Sequence, residues 1–147
     1  MLKRYTFWLW SAVVFQLLTA FIHSISLFVT PEAQNETERQ LITLTDTYRL
    51  DAGAGFHPTM GNLITGLSSC FTLLCLLAGL TIIFLLRKKA TPEILKGSVG
   101  IQLLVFGACF AIMAFFTFLP PIVCTGLIFV SLVISYVLIP GRSEQAA

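Results

Sequence analysis

Four long apolar stretches dominate the chain, running roughly Tyr5–Val29, Met60–Leu86, Gly97–Leu119 and Pro121–Ile139. Only one sizeable polar segment separates any two of them. At 1.5 Å of rise per helical residue they reach about 37, 40, 34 and 28 Å. The hydrocarbon core of a bilayer is about 30 Å thick and takes about 20 apolar residues to cross. The runs are continuous, whereas barrel strands alternate apolar and polar residues. A helix also pairs its own backbone amides, which lipid demands. The expected fold is therefore all-α: an integral membrane, antiparallel four-helix bundle, one membrane domain over residues 1–147. Charge agrees, since charged residues make up 11% of the chain, under half the share of about 25% in an ordinary globular domain.

Lys and Arg set the expected orientation. In a four-span arrangement Lys3, Arg4, Arg87, Lys88, Lys89, Lys96 and Arg142 share one side, and only Arg39 and Arg49 lie on the other. Basic residues accumulate on the cytoplasmic side, so both termini and the Arg87–Lys96 connection are expected there. That implies a multi-pass protein of the cell inner membrane, with the loop 30–59 facing outward. Tyr5, Trp8 and Trp10 fall near the inner boundary, where amphipathic rings prefer to lie. The first stretch follows a basic Met1-Leu2-Lys3-Arg4 start, as signal peptides do, but its apolar run far exceeds a signal h-region of about 7–15 residues. It is read as an uncleaved helix.

The outer loop has structure of its own. Thr30-Pro31-Glu32 reads as a helix start: cap, first-turn proline, early acid. Leu41, Leu44 and Tyr48 share one helical face, and Glu32, Asn35, Arg39 and Asp46 share the other. An amphipathic surface helix of about four turns is expected between spans 1 and 2, ended by Gly53 and Gly55. Pro58 suits the start of the second span, and Thr91-Pro92-Glu93 that of the third. Pro120-Pro121 forces a tight hairpin into the fourth span, with Pro121 beginning its helix, and Pro140-Gly141 closes it. Asn35-Glu36-Thr37 matches a glycosylation acceptor, which matters only along a eukaryotic secretory route.

On the third span Gly97, Gly100, Gly107, Ala111 and Ala114 fall within an arc of about 100°. Small residues let helices approach closely in lipid, where no hydrophobic force drives them together. This stripe is a helix-packing face, serving either intramolecular packing or the docking of another subunit or copy.

Polar side chains form a second pattern. Gln16, Thr19, His23 and Ser26 recur at i, i+3, i+7 and i+10 on the first span, and Asn62, Thr65, Ser69 and Thr72 repeat that spacing on the second. Polar groups facing hydrocarbon are costly, so both faces should turn inward. Gln16, Thr19, His23, Asn62, Thr65 and Ser69, with His57 at the rim, form a candidate ligand-binding patch in the outer leaflet. The plainer alternative is interhelical hydrogen bonding, worth about 0.6 kcal/mol per contact. Two histidines can ligate haem iron, but His57 is expected at the interface and His23 deeper, so no metal ligand set is assigned. Histidine can exchange a proton near neutral pH, yet no acid stands by to assist, and no catalytic residue is named. The residues identify no cofactor.

Several classes are excluded. Cys70, Cys75, Cys109 and Cys124 all fall inside spans and form no C-x-x-C pair, which argues against a disulfide-forming oxidoreductase. They read as small packing residues. The span centres carry no Asp, Glu, Lys or Arg, so a proton-coupled exporter lacks its intramembrane carboxylate. Filter motifs and charged rings are missing, as are a phosphate loop, a nucleophile elbow and a zinc signature. A net charge of +2 leaves no basic patch for nucleic acid.

The run Met60-Gly61-Asn62-Leu63-Ile64-Thr65-Gly66-Leu67-Ser68 resembles a stretch in small uncharacterised bacterial four-span inner-membrane proteins. The matching features are His23 in the first helix, the acidic loop 30–59, and Gly66-Leu67-Ser68 in the second. The resemblance covers most of the chain in layout and few residues in identity. It implies a bacterial inner-membrane location and no particular chemistry. The expected function is that of a non-catalytic integral membrane protein, an accessory subunit or a self-associating bundle. Its partners are then the lipid bilayer and either other membrane subunits or further copies. The alternative is a binder of a lipophilic ligand or cofactor in the pocket around His23.

Overall fold

A computed structural model describes residues 2–29 and 32–140. Among them are five helices: α1 (Leu2–Ser26), α2 (Glu36–Thr47), α3 (Met60–Arg87), α4 (Pro92–Phe116) and α5 (Leu119–Leu138). All but α2 are long and apolar enough to cross a membrane. The chain divides into two compact units, one made of residues up to Ala20 together with Leu74 onward, the other of Phe21–Leu73.

The first unit is built on spacings of three and four. Leu95, Val99, Gln102 and Phe106 form the buried edge of α4. Thr125, Ile128, Leu132 and Ser135 form that of α5. Leu9, Ala12, Val13 and Gln16 of α1 and Cys75, Ala78 and Ile82 of α3 are buried as well. Steps of three and four keep one seam of a helix facing its neighbour.

α4 and α5 pack directly against each other. Here glycines meet rings: a Cβ on Gly100 would lie 3.3 Å from Tyr136, on Gly107 3.0 Å from Phe129, and on Gly126 3.2 Å from Phe110. Phe110 and Phe129 stack between them, centroids 5.9 Å apart. Positions rise on α4 as they fall on α5, so the two run antiparallel. On α3, Gly79 would carry its Cβ 3.2 Å from Leu17 of α1. Gly100 and Gly107 of the predicted stripe thus face α5. A Cβ on Gly97 would meet nothing within 4 Å, and Ala111 and Ala114 are exposed.

Local chemistry sets the helix ends. Thr91 caps α4, its Oγ1 accepting from the Ile94 N–H, with Pro92 in the first turn as expected. Thr59 Oγ1 accepts from the Asn62 N–H, so α3 opens at Met60 and Pro58 precedes its cap. The α3 C-terminus closes through Lys89 at φ 51°, with N–H groups of Lys89 and Ala90 donating to Leu86 and Leu85 carbonyls. This left-handed closure is the usual way a helix end satisfies its last carbonyls. α5 opens at Leu119, two residues before the expected Pro121, and both prolines occupy its first turns.

The second unit corrects the outer-loop expectation. Thr30 and Pro31 lie outside the described residues, and residues 32–35 are not helical. α2 begins at Glu36 because Asn35 caps it: Asn35 Oδ1 accepts from the Glu38 N–H at 2.9 Å, and the Glu38 carboxylate accepts from the Gln34 N–H at 2.7 Å. This reciprocal arrangement is a variant of the capping box. Nor do Gly53 and Gly55 end the helix. The chain leaves α2 at Tyr48, and Arg49 bridges to Thr59 in an antiparallel pair. The two glycines and Ala54 turn the chain between them at positive φ.

Candidate functional site

The polar stripe of α1 falls in both units. In the first, Gln16 is wholly buried and Thr19 nearly so. Gln16 Nε2 donates to Gln102 Oε1 at 3.0 Å, and Gln102 Nε2 donates to the Ala78 carbonyl at 3.2 Å. One chain of amides therefore ties α1, α4 and α3 together. Gln16 Oε1 is buried without a hydrogen-bond partner. Gln102 was not singled out from the sequence. The signal was there: it stands at the i+7 position from Leu95 on an otherwise apolar seam.

In the second unit the predicted residues have varied surroundings. His23 is half-buried and packs edge-on against Phe71, ring centroids 5.3 Å apart. Its Nε2 is buried without a hydrogen-bond partner, as is Thr72 Oγ1. Buried polar atoms are nearly always satisfied by protein or water, so two orphans in one unit stand out. Ser69 Oγ donates to the Thr65 carbonyl within α3 at 2.7 Å. Asn62, Thr65 and His57 are exposed. The His57 carbonyl accepts from Arg49 at 3.3 Å, which fixes its backbone rather than its ring. The ring contact of His23 is thus with an aromatic residue of α3.

Among the described residues, no group of three or more His, Cys, Asp or Glu is placed to hold a metal ion. Cys75 is buried, whereas Cys109 and Cys124 are only partly so. All the described cysteines, Cys70 among them, are unpaired.

The surface helix is amphipathic in place. Leu41, Leu44 and Tyr48 are all more than half exposed, at 64%, 59% and 61%. Gly61 allows α2 to approach the start of α3: a Cβ there would sit 2.8 Å from Asp46 Oδ1 and 3.4 Å from the Thr45 carbonyl. An acid beside a helix N-terminus is favourable to that helix.

These helices point to the class of multi-pass membrane proteins. No family model, curated protein or solved structure matches the chain, so its function has to be argued from its own residues.

Proposed function

We propose that this is a non-catalytic integral membrane protein that works by association, as an accessory subunit or a self-associating bundle. Its four long helices cross the inner membrane as an antiparallel bundle, with both termini and the basic turn between α3 and α4 in the cytoplasm. The observation that carries the reading is how little of this apolar surface the molecule covers itself. Of the most apolar part of α4, only 17% is buried. Phe115, Phe116, Leu104 and Ile101 are among the side chains left bare, at 84%, 83%, 77% and 68% exposed. Water would penalise that surface by about 25 cal/mol per Å², whereas lipid or a neighbouring helix would not. Ala111 and Ala114 lie exposed on the same helix, where a small-residue face permits close helix contact.

Native mass spectrometry in mild detergent tests the association. The expected result is a second copy or a partner protein at fixed stoichiometry. A strictly monomeric species at every protein concentration, with no partner, would count against it.

A second reading is supported by the orphaned Nε2 of His23 and Oγ1 of Thr72. A lipophilic ligand or cofactor offering hydrogen-bonding groups would satisfy both. It predicts a retained small molecule or a haem absorption band that His23→Ala abolishes. Full retention by that variant would remove the His23 pocket.

A further inference from the structure

α2 is 12 residues long, and none of its residues is buried. Isolated helices shorter than about 12–15 residues are marginal in water, so a helix this short needs an apolar cover. Its sides differ in exposure. Glu38, Ile42 and Thr45 recur at i, i+4 and i+7 and are partly covered. Glu36, Arg39, Gln40, Thr43 and Asp46 are polar and exposed, with Arg39 paired to Glu36 at 2.6 Å. Leu41, Leu44 and Tyr48, at i, i+3 and i+7, are apolar and exposed. Helical geometry sets them about 90° round from the partly covered side. The last turn of α2 is held at the first turn of α3. A Cβ on Gly61 would meet Asp46 Oδ1 at 2.8 Å, and Arg49 pairs with Thr59 just before α3 begins. From that turn onward α3 leaves Leu63, Ile64 and Leu67 bare.

We infer that α2 docks on a phospholipid bilayer surface, with Leu41, Leu44 and Tyr48 immersed at the headgroup boundary and Glu36, Gln40 and Thr43 in water. The inference rests on the reading that α3 crosses the bilayer. Three observations select a lipid surface as the occupant. The hold of Asp46 and Arg49 on the start of α3 sets α2 at the level where that span enters the membrane, so the lipid that covers Leu63, Ile64 and Leu67 begins beside α2. A sharp division of apolar from polar residues at low overall hydrophobicity is the make-up of an interfacial helix, and tyrosine settles at the membrane–water boundary. Three side chains are also too few for a stable protein interface, which takes about 20–30 residues a side. The charge of α2 is acidic, Glu36, Glu38 and Asp46 against Arg39. Anionic headgroups therefore repel it, and apolar burial in a zwitterionic leaflet holds it with little dependence on salt.

The test is nitroxide accessibility in the full chain, held in phosphatidylcholine nanodiscs, with the native cysteines replaced by alanine and one label carried by Leu41→Cys, Leu44→Cys, Gln40→Cys or Thr43→Cys. Oxygen concentrates in lipid and a nickel chelate in water. Labels at Leu41 and Leu44 should be several-fold more accessible to oxygen than to the chelate, with the order reversed at Gln40 and Thr43. Chelate access at all four sites would show the apolar face in water. Exclusion of both reagents from Leu41 and Leu44 would show a protein partner or a second copy on that face. Either result overturns the proposal. Leu67→Cys on α3 separates the two readings. Oxygen access there, with Leu41 and Leu44 in water, removes only the docking of α2, whereas chelate access there removes the membrane reading and the docking together. Leu44→Glu in the otherwise native chain gives an independent check should the cysteine-free chain not fold. Glutamate has about the helix propensity of leucine, so faster hydrogen exchange at the amides of residues 42–47 reports lost docking, and unchanged exchange overturns the proposal.

Discussion

Gln16 and Gln102 share a buried amide hydrogen bond of 3.0 Å, and Gln102 passes the connection on to the Ala78 carbonyl. Three helices of the first unit therefore meet at one polar point within an apolar seam. Amides on spanning helices contribute modestly, about 0.6 kcal/mol on average and up to about 1.7. Removing one partner is worse than removing both, since a lone buried amide keeps its desolvation cost.

A double-mutant cycle should expose that asymmetry. Gln102→Leu alone should destabilise the protein by about 1–2 kcal/mol. Adding Gln16→Leu should restore part of the loss, with a coupling of about 0.6–1.7 kcal/mol. Thermal unfolding in detergent measures each variant. Simple additivity would mean that the two amides do not interact.

The α4–α5 contact makes a second prediction through its glycines. Gly107→Leu drives a side chain into Phe129, whose ring already stands 3.0 Å from a Cβ at that position. Overpacking of this kind costs about 1–3 kcal/mol. Gly97→Leu, on the same helix but facing open space, should change stability by less than about 0.5 kcal/mol. Equal effects from the two variants would contradict the packing described here.

α2 depends on its cap. Asn35→Ala removes the acceptor for the Glu38 N–H and should cost the helix about 1 kcal/mol. Hydrogen exchange should quicken at the amides of Glu38, Arg39 and Gln40 while α4 and α5 remain unaffected. Unchanged exchange in α2 would show that packing, not the cap, sets its start.

This helix also shows where the sequence was legible and where it was not. The four long apolar helices could be read because their apolar runs are continuous, and Thr91-Pro92-Glu93 marks the start of α4 where the structure has it. Two start signals compete for the start of α2. Thr30-Pro31-Glu32 has the right composition, but Asn35 and Glu38 satisfy each other and the Gln34 N–H as well. Gly53 and Gly55 announced a break in helix, yet composition alone did not say that the break would be a turn closed by Arg49 and Thr59. The stripe on α4 could be read as small residues but not divided, because only the rings of Tyr136 and Phe129 show which glycines meet α5. Gln102 went unnoticed because a single amide has no periodicity, and its meaning depends on a partner 86 positions away. The polar stripe of α1 was read as one face. The structure assigns its two ends to different units, a division that local spacing does not encode.

The central claim is that four helices cross a bilayer, with α2 outside and the turn between α3 and α4 inside. Labelling with a membrane-impermeant thiol reagent in intact cells tests it most directly, after the native cysteines are replaced by alanine and a single cysteine is introduced at Asn35 or at Thr91. The account predicts that the Asn35 site is labelled at once and the Thr91 site only after the membrane is permeabilised. Labelling of Thr91 in intact cells, or equal labelling of both sites, would contradict it.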